Sequence, residues 1–549
     1  MIRHLKTNDG CGIDDLAFVL RKSIQSLQSG DTLIFPEGEY HISDRFCEER
    51  ICWISNHDSG IRRVFCNLSG KENVTIDGNG AKLIFHGRIL PFFLENSKNI
   101  ILKNFSVDYH RPFFTQGTVV ENCDYGRLTI DIDPSVYPYR IENDHIIFEG
   151  DGWESSYIKW FIEVDPKTKN LVASREPDNY IGSKNIELYA RMVGKTLVEF
   201  TGSMRRRHKV GSVLCITHEH RNYPGIVLSN CQNASVENVT IYHAGGMGIL
   251  GQNCRDIRLR NDRVILPEGT DRMMSTNNDA THFVNCRGQL LLEGCIFSNQ
   301  HDDGSNIHSA YSKIAPGSNS HTLFLQNGHF QQAGVATFAP GDVLVCVNPI
   351  TMEESGGRFE VLSVENLNCE NFQTQVKPLT EGEPVIGEVV ENKSAAPELT
   401  IRNCQFLRNR GRGVLIDTSG KILIENNLFS TPCAAILHGY EAHFWYESGP
   451  VKNVVIQNNT FRHCDFVRGP GGNAIFFKPG CEKNYSCYPS RVEIVGNEFD
   501  SCGEKAVTAR HMDTLVLKNN RMTGNMPEHS CVFCDCRYVD TDMESNETL

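Results

Sequence analysis

No run of apolar residues in this 549-residue chain approaches the length of a membrane-spanning helix, which takes about 20 residues. Positive charge is in deficit, with 54 Lys and Arg against 67 Asp and Glu and a net charge of −13 at pH 7. A surface of that sign repels phosphate, which argues against nucleic acid as the main partner. It also disfavours a polyanionic substrate such as a uronic-acid polymer, and a neutral sugar fits better. The opening residues, Met1-Ile2-Arg3-His4-Leu5-Lys6, lack the apolar core of an export signal. The expectation is a chain that stays inside the cell or one whose signal has been removed. The 21 cysteines lack the short spacing of a disulfide framework. His218-Glu219-His220 lacks the two residues between Glu and the second His that a metalloprotease helix needs; it reads as structural or as the edge of a groove.

What is present is a repeat. Hydrophobic residues make up 40% and charged residues 22%, an ordinary globular composition, but the chain is long for one compact core. A solenoid escapes that limit, because each repeat contacts only its neighbours. The motif apolar–x–Asn–x–x–apolar recurs at Val236 to Ile241, Ile401 to Phe406, Ile424 to Phe429, Ile456 to Phe461 and Leu517 to Met522. Asn238 to Asn261, Ile401 to Ile424 and Ile494 to Leu517 are each 23 residues apart. Asn at a fixed turn suits the left-handed conformation, and stacked Asn side chains can hydrogen-bond from coil to coil. Cys231, Cys286, Cys295 and Cys404 fall in these strands and read as small buried hydrophobes. Cys531, Cys534 and Cys536 follow His529 and have zinc-ligand chemistry. No second half at metal-site spacing accompanies them, so a C-terminal strand with buried thiols is the better reading.

The opening stretch carries Asn8-Asp9-Gly10, Asp14-Asp15, a helical spacing over Leu16 to Leu27, and a strand closed by Pro36-Glu37-Gly38. It looks like the N-terminal cap of the pectin-lyase-like right-handed β-helix superfamily. The repeat lapses over about 111 to 215 and about 339 to 398, where alternating strands such as Arg127 to Ile132 and Phe359 to Val364 appear. The expected fold class is all-β: a right-handed parallel β-helix with a cap and two inserted small β-barrel-like modules. The divisions are 1–110 for the cap and first coils, 111–215 for one insert, and 216–338 for coils with the acidic residues. Residues 339–398 form the second insert and 399–549 the last coils. Insertions on a solenoid commonly fall on its binding face. Arg205-Arg206-Arg207-His208-Lys209, in the first insert, reads as a solvated strand edge.

Two acidic spots stand one repeat apart: Asn277-Asn278-Asp279, then His301-Asp302-Asp303-Gly304. A 23-residue coil would put Asp279 beside Asp302 and Asp303. Three carboxyls that cannot all ionise independently suit acid–base hydrolysis of a glycosidic bond. In a regular strand Asp302 and Asp303 would face opposite sides, so both reach the groove only if the chain bends, and Gly304 permits a bend.

An Asn-x-Asp followed one coil later by Asp-Asp and a nearby His is similar to polygalacturonases of glycoside hydrolase family 28. No Arg-Ile-Lys carboxylate clamp accompanies it. Ser275-Thr276-Asn277-Asn278-Asp279-Ala280-Thr281-His282, His301-Asp302-Asp303-Gly304-Ser305-Asn306-Ile307-His308 and the twice-interrupted β-helix more closely resemble glycoside hydrolase family 110. Those are inverting α-1,3-galactosidases acting on blood-group-B-type ends. The resemblance implies an exo-acting galactosidase that needs no metal or cofactor. Asp279, Asp302 and Asp303 are its catalytic carboxyls, with acid and base undivided among them. Asn278, His282, Asn306, His308, Arg412, Glu441, Trp445 and Glu447 are the candidate sugar contacts. Trp445 is read either as an exposed ring for stacking on galactose or as packing beneath its loop. His282 and His308 could equally hold turn backbone, and Arg412 could reach a hydroxyl or a catalytic Asp. The implied partner is an oligosaccharide or glycoconjugate with terminal α-galactose, without nucleic acid or a membrane span; a homodimer is compatible with the sequence. Two rivals stand beside it: another β-helix hydrolase, polygalacturonase-like, and a non-catalytic carbohydrate-binding solenoid.

Overall fold

A computed structural model describes residues 1–6, 15–123, 126–173, 178–180, 188–204, 206–467, 472–478, 488–527, 530–543 and 545–547. Asn8, Asp9, Gly10, Asp14, Arg205 and His529 lie outside the described residues. The cap helix runs Leu16–Ser26, and Asp15 caps it by accepting from the Ala17 and Phe18 N–H groups.

Two long parallel sheets, of 22 and 14 strands among the described residues, form the walls of a β-helix. Alternation explains why these residues form them: one side chain of each pair points inward and stacks on its counterpart in the next coil. Ala234, Ile257, Leu290, Leu399, Ile422, Val454, Val492 and Leu515 are successive partners in the larger sheet. Phe406, Phe429, Phe461 and Phe499 stack inside at centroid spacings of 4.9, 5.1 and 4.8 Å. The expected 23-residue step is observed where Ile401 pairs with Ile424 and Ile494 with Leu517. Cys231, Cys286, Cys295 and Cys404 are free and buried, as read. At the C-terminal end Cys531 is buried in the strand Cys531–Cys534 while Cys534 is half-buried. The Cys536 thiol donates to the Ala509 carbonyl.

The turn asparagines do two jobs. Asn238, Asn261, Asn403, Asn426, Asn458 and Asn519 have φ of 55 or 56°, the left-handed conformation the repeat requires. The residue after each turn faces inward. There Asn427 donates to Asn459 (2.9 Å), Asn459 to Asn497 (3.0 Å) and Asn497 to Asn520 (3.1 Å). This ladder satisfies polar groups that the coil interior would otherwise strand.

Both inserts are antiparallel. The first spans Phe114–Cys123 to Val213–Thr217 and contains a seven-stranded and a three-stranded sheet. The second is a closed six-stranded barrel that starts at Ser312–Ile314 and ends at Val389–Asn392. Its first two strands therefore precede the boundary expected at 339. Thr322–Asn327 alternates buried and half-buried residues just as a coil strand does, so the sequence pattern cannot separate the two. The basic run of the first insert is a solvated edge only in part: Arg207 and Lys209 are exposed. Arg206 and His208 are buried and close on the buried Glu163 carboxylate, which also accepts from the Lys209 N–H (2.7 Å) and the Ser212 hydroxyl (2.7 Å). A buried carboxylate must be paired, and Arg206 and His208 do that here.

Asn459→Ala removes the acceptor of the buried Asn427 N–H and the donor to the Ile424 carbonyl. Orphaning such groups costs about 1–3 kcal/mol each. A lower midpoint in chemical denaturation, with an unchanged slope, is the expected outcome.

Candidate active site

Asp279, the pair Asp302–Asp303, and Arg410 with Arg412 each lie just before a strand of the 14-stranded sheet, Thr281–Val284, Ser305–Ala310 and Val414–Asp417 respectively. Those strands are successive neighbours, so the coil stacks the three loop ends on one another. The step between the first two is one residue longer than the repeat: Thr281 pairs with Ser305, and the Ala280 N–H bonds the Asp303 carbonyl (2.9 Å). Asp279 is therefore opposite Asp303, and Asp302 reaches the same place through a bend at 301–304. Gly304 is required there, because a Cβ would lie 2.5 Å from both the Gly413 carbonyl oxygen and the Phe406 ring. One carboxyl oxygen from each aspartate lies within 4.8 Å of the others.

All six oxygens of the trio have partners. Asp279 Oδ2 faces His282 Nδ1 (2.7 Å), and its Oδ1 accepts from the Asp303 N–H (3.2 Å). Asp303 is held on both oxygens by Arg412, through the backbone N–H (2.6 Å) and Nη2 (2.8 Å). Asp302 lies between Arg221 (3.1 Å) and Arg410 (3.5 Å). A cluster of this size can hold a cation, but the arginines already supply the positive charge.

These surroundings pull the carboxyls apart electrically. Burial, then the charges of Asp302 and Asp303, raises Asp279 well above the usual carboxyl range. Burial pushes Asp303 up to about 7 against the pull of Arg412. Burial also opposes ionisation of Asp302, but Arg410, Arg221, Arg412 and Lys159 together outweigh it and hold Asp302 below its ordinary value. Lys159 is brought down to about 7 by burial and the nearby Arg221.

A row of rings backs Asp279. His308 Nδ1 donates to the Ser309 carbonyl oxygen (2.7 Å). Its Nε2 faces His282 Nε2 (3.0 Å) and Glu447 Oε1 (3.5 Å), and His282 Nδ1 faces Asp279 Oδ2 (2.7 Å). Burial and the neighbouring His308 disfavour a charge on His282.

The cavity over the trio holds about 620 Å3. Of the expected residues, Asp279, His282, Asp302, Asp303, Asn306, Arg412, Trp445 and Glu447 line it. Three expected sugar contacts stand behind the wall. Asn278 is buried, and its carbonyl, with the amide correctly turned, accepts from Arg221 Nε (3.0 Å). His308 serves His282, as described. The Glu441 carboxylate accepts from the backbone N–H groups of His443 (2.7 Å), Phe444 (2.7 Å), Trp445 and Tyr446 (3.0 Å), and so folds the loop. Trp445 is half-buried, not exposed: the Arg221 guanidinium lies 5.0 Å over its ring and His329 packs 4.7 Å away.

Sequence reasoning missed Arg221, Lys159, Trp160, Arg410 and His329, all cavity-lining. Lys159 and Trp160 come from the first insert and His329 from the second, so nothing in their local spacing marks them. Arg410 is two residues from Arg412. In a strand the two would share a face, and that was the available signal. His220, at the edge of the three-residue His-Glu-His run, does line the groove, while His218 is buried against Phe148 (4.4 Å between centroids).

Charge-assisted bonds of the Glu441 type contribute about 1.5–3 kcal/mol each. Glu441→Ala is expected to speed hydrogen exchange at the amides of residues 443–446 by about tenfold or more, with exchange in the coil strands unchanged.

Two family models match: the GLAA-B β-barrel domain I over residues 115–214 and the right-handed β-helix region over 388–546. The chain is 33% identical over 545 residues to alpha-1,3-galactosidase A of Shewanella woodyi, covering 96% of this chain and 86% of the relative. It is 32% identical over 533 residues to alpha-1,3-galactosidase B of Bacteroides thetaiotaomicron, covering 93% and 84%. The endo-xylogalacturonan hydrolase of Aspergillus tubingensis superposes with a TM-score of 0.45 at 8% identity, over 100% of this chain and 99% of that one. Identity of a third, sustained from the cap to the last coils, makes this protein a glycoside hydrolase of the α-1,3-galactosidase family, family 110.

Proposed function

We propose that the enzyme is an exo-acting hydrolase that removes terminal α-1,3-linked galactose, with inversion, from blood-group-B-type ends and linear Gal-α-1,3-Gal. The observation that carries the reading is the aspartate trio in mixed protonation states at the base of one cavity. A proton rests on Asp279 and Asp302 is ionised, so both an acid and a base are present near neutral pH. The three titrate as a unit, and the division of labour among them belongs to the loaded enzyme.

The short spacing of the trio resembles the roughly 5–5.5 Å of retaining carboxyl pairs more than the 6.5–9.5 Å of inverting ones. Inversion rests instead on the resemblance to family 110, and the anomer formed first decides between the two outcomes.

The inserts and the Glu441 loop close the cavity around a terminal sugar, which supports exo action. Phe330 and Phe444 remain more than 60% exposed at its rim. They offer apolar faces to the sugars that follow the cleaved bond. The cavity's three arginines are committed to its carboxylates, which favours a neutral sugar over a uronate.

Proton NMR with Gal-α-1,3-Gal and with a B-type oligosaccharide tests the reading. β-Galactose as the first-formed product is expected; α-galactose would replace inversion by retention, and no galactose would remove the activity altogether. Asp279→Asn, Asp302→Asn and Asp303→Asn should each lower kcat by about 10²–10⁴ while sugar binding persists. A non-catalytic solenoid would show binding without turnover in the parent protein as well.

The raised Asp303 sets the pH dependence. A group moved up to about 7 keeps its proton below that pH and loses it above. If Asp303 supplies the catalytic proton, kcat/KM falls as pH rises through about 7. A profile flat to pH 9 would contradict this.

A further inference from the structure

We propose that His86, His110 and Asp151, far from the sugar cavity, form a divalent-metal site of zinc type that fastens the first insert to the opening coils. Phe85 pairs with Tyr109 in the larger sheet, so His86 and His110, the next residues, stand on adjacent coils with ring centroids 4.5 Å apart. Asp151 comes from a different element, the turn between the insert strands His145–Gly150 and Trp153–Ser155. Its Oδ2 lies 3.1 Å from His86 Nδ1 and 3.0 Å from His110 Nδ1. Zinc with ligands at about 2.0–2.1 Å has tetrahedral edges of about 3.3 Å, so two of the three edges are nearly in place. Rotating the two rings toward each other closes the third, and solvent reaches the fourth position.

The close approach is built in. Gly87 has φ of 102°, and a Cβ there would sit 3.0 Å from the Asp151 carbonyl oxygen. Any other residue would push the insert's turn away from His86.

His41 stands behind His86: its Nδ1 lies 2.8 Å from His86 Nε2, and its Nε2 lies 3.3 Å from Glu39 Oε1. A metal ion satisfies His86, His110 and Asp151 at once. His41 then orients His86 from behind, as outer-shell partners of ligating histidines do. Imidazole and carboxylate donors together suit zinc, copper or nickel better than calcium or magnesium.

The site would also steady the catalytic wall. The strand Trp153–Ser155, next to Asp151, leads directly to Lys159 and Trp160, which line the sugar cavity. The ligands are spread over three segments, which explains why no metal motif is visible in the sequence.

The test uses the full-length enzyme stripped with chelator, then dialysed against zinc or cobalt and assayed for bound metal. Parent protein and the control His145→Gln, on the same insert, should each retain a single equivalent and show the visible absorption of tetrahedral cobalt. The double variant His86→Gln/His110→Gln should retain neither metal nor absorption. His41→Ala, at an exposed ring, should weaken binding about 10–100-fold, and it tests the proposal if the double variant does not fold. Parent protein without retained metal, or retention undiminished in both variants, would overturn it.

Discussion

The backbone ladder between coils is the constraint on which everything else depends. Each strand bonds to the equivalent strand one turn later, so residues at equal heights in the repeat stack into columns about 4.8 Å apart. A column of apolar residues becomes core, as with Phe406, Phe429, Phe461 and Phe499. A column of asparagines becomes an internal ladder, as from Asn427 to Asn520. A column of charged residues would be ruinous unless its members alternated in charge or shared protons. At the active site the column reads Asp279, Asp303, Arg412, and both remedies are used.

That placement explains the electrostatics. Stacking forces the aspartates into contact regardless of their mutual repulsion, and the surrounding coil denies them water. The cost is met by arginines drawn from separate places: Arg412 and Arg410 from the next coil, Arg221 from the junction after the first insert. Among the described residues no arginine forms an ion pair with Asp279; it faces His282, and burial raises it well above the usual carboxyl range. One fold feature thus yields an ionised carboxyl and a neutral one a few ångströms apart. The inserts complete the work by roofing the cavity with Lys159, Trp160, His329 and Phe330.

The same stacking operates on the outer wall near the cap. His86 and His110 occupy one column, and a turn of the first insert brings Asp151 against them. The first insert is therefore joined to the solenoid through polar contacts at positions the coil geometry fixes.

The β-helix, the cap helix and the turn asparagines were legible in the sequence because each rests on local chemistry. Strand alternation, the helical apolar spacing of Leu16 to Leu27 and left-handed Asn turns need only neighbouring residues. The aspartate trio was legible because one repeat length links its members, although the true step of 24 residues, from Thr281 to Ser305, puts Asp303 rather than Asp302 opposite Asp279. The start of the second barrel at Ser312 was hidden, since a barrel strand and a coil strand share the same alternation. Arg221, Lys159 and His329 were hidden for a deeper reason. They reach the cavity from segments separated by tens to hundreds of residues, and no period connects them. Asn278, His308 and Glu441 were placed on the sugar by their nearness in sequence to the site, whereas packing put them one layer behind it. Sequence alone determined the repeat, because hydrogen bonding and side-chain alternation are local. Only the tertiary structure decided which charges meet, because that depends on where loops from distant coils converge.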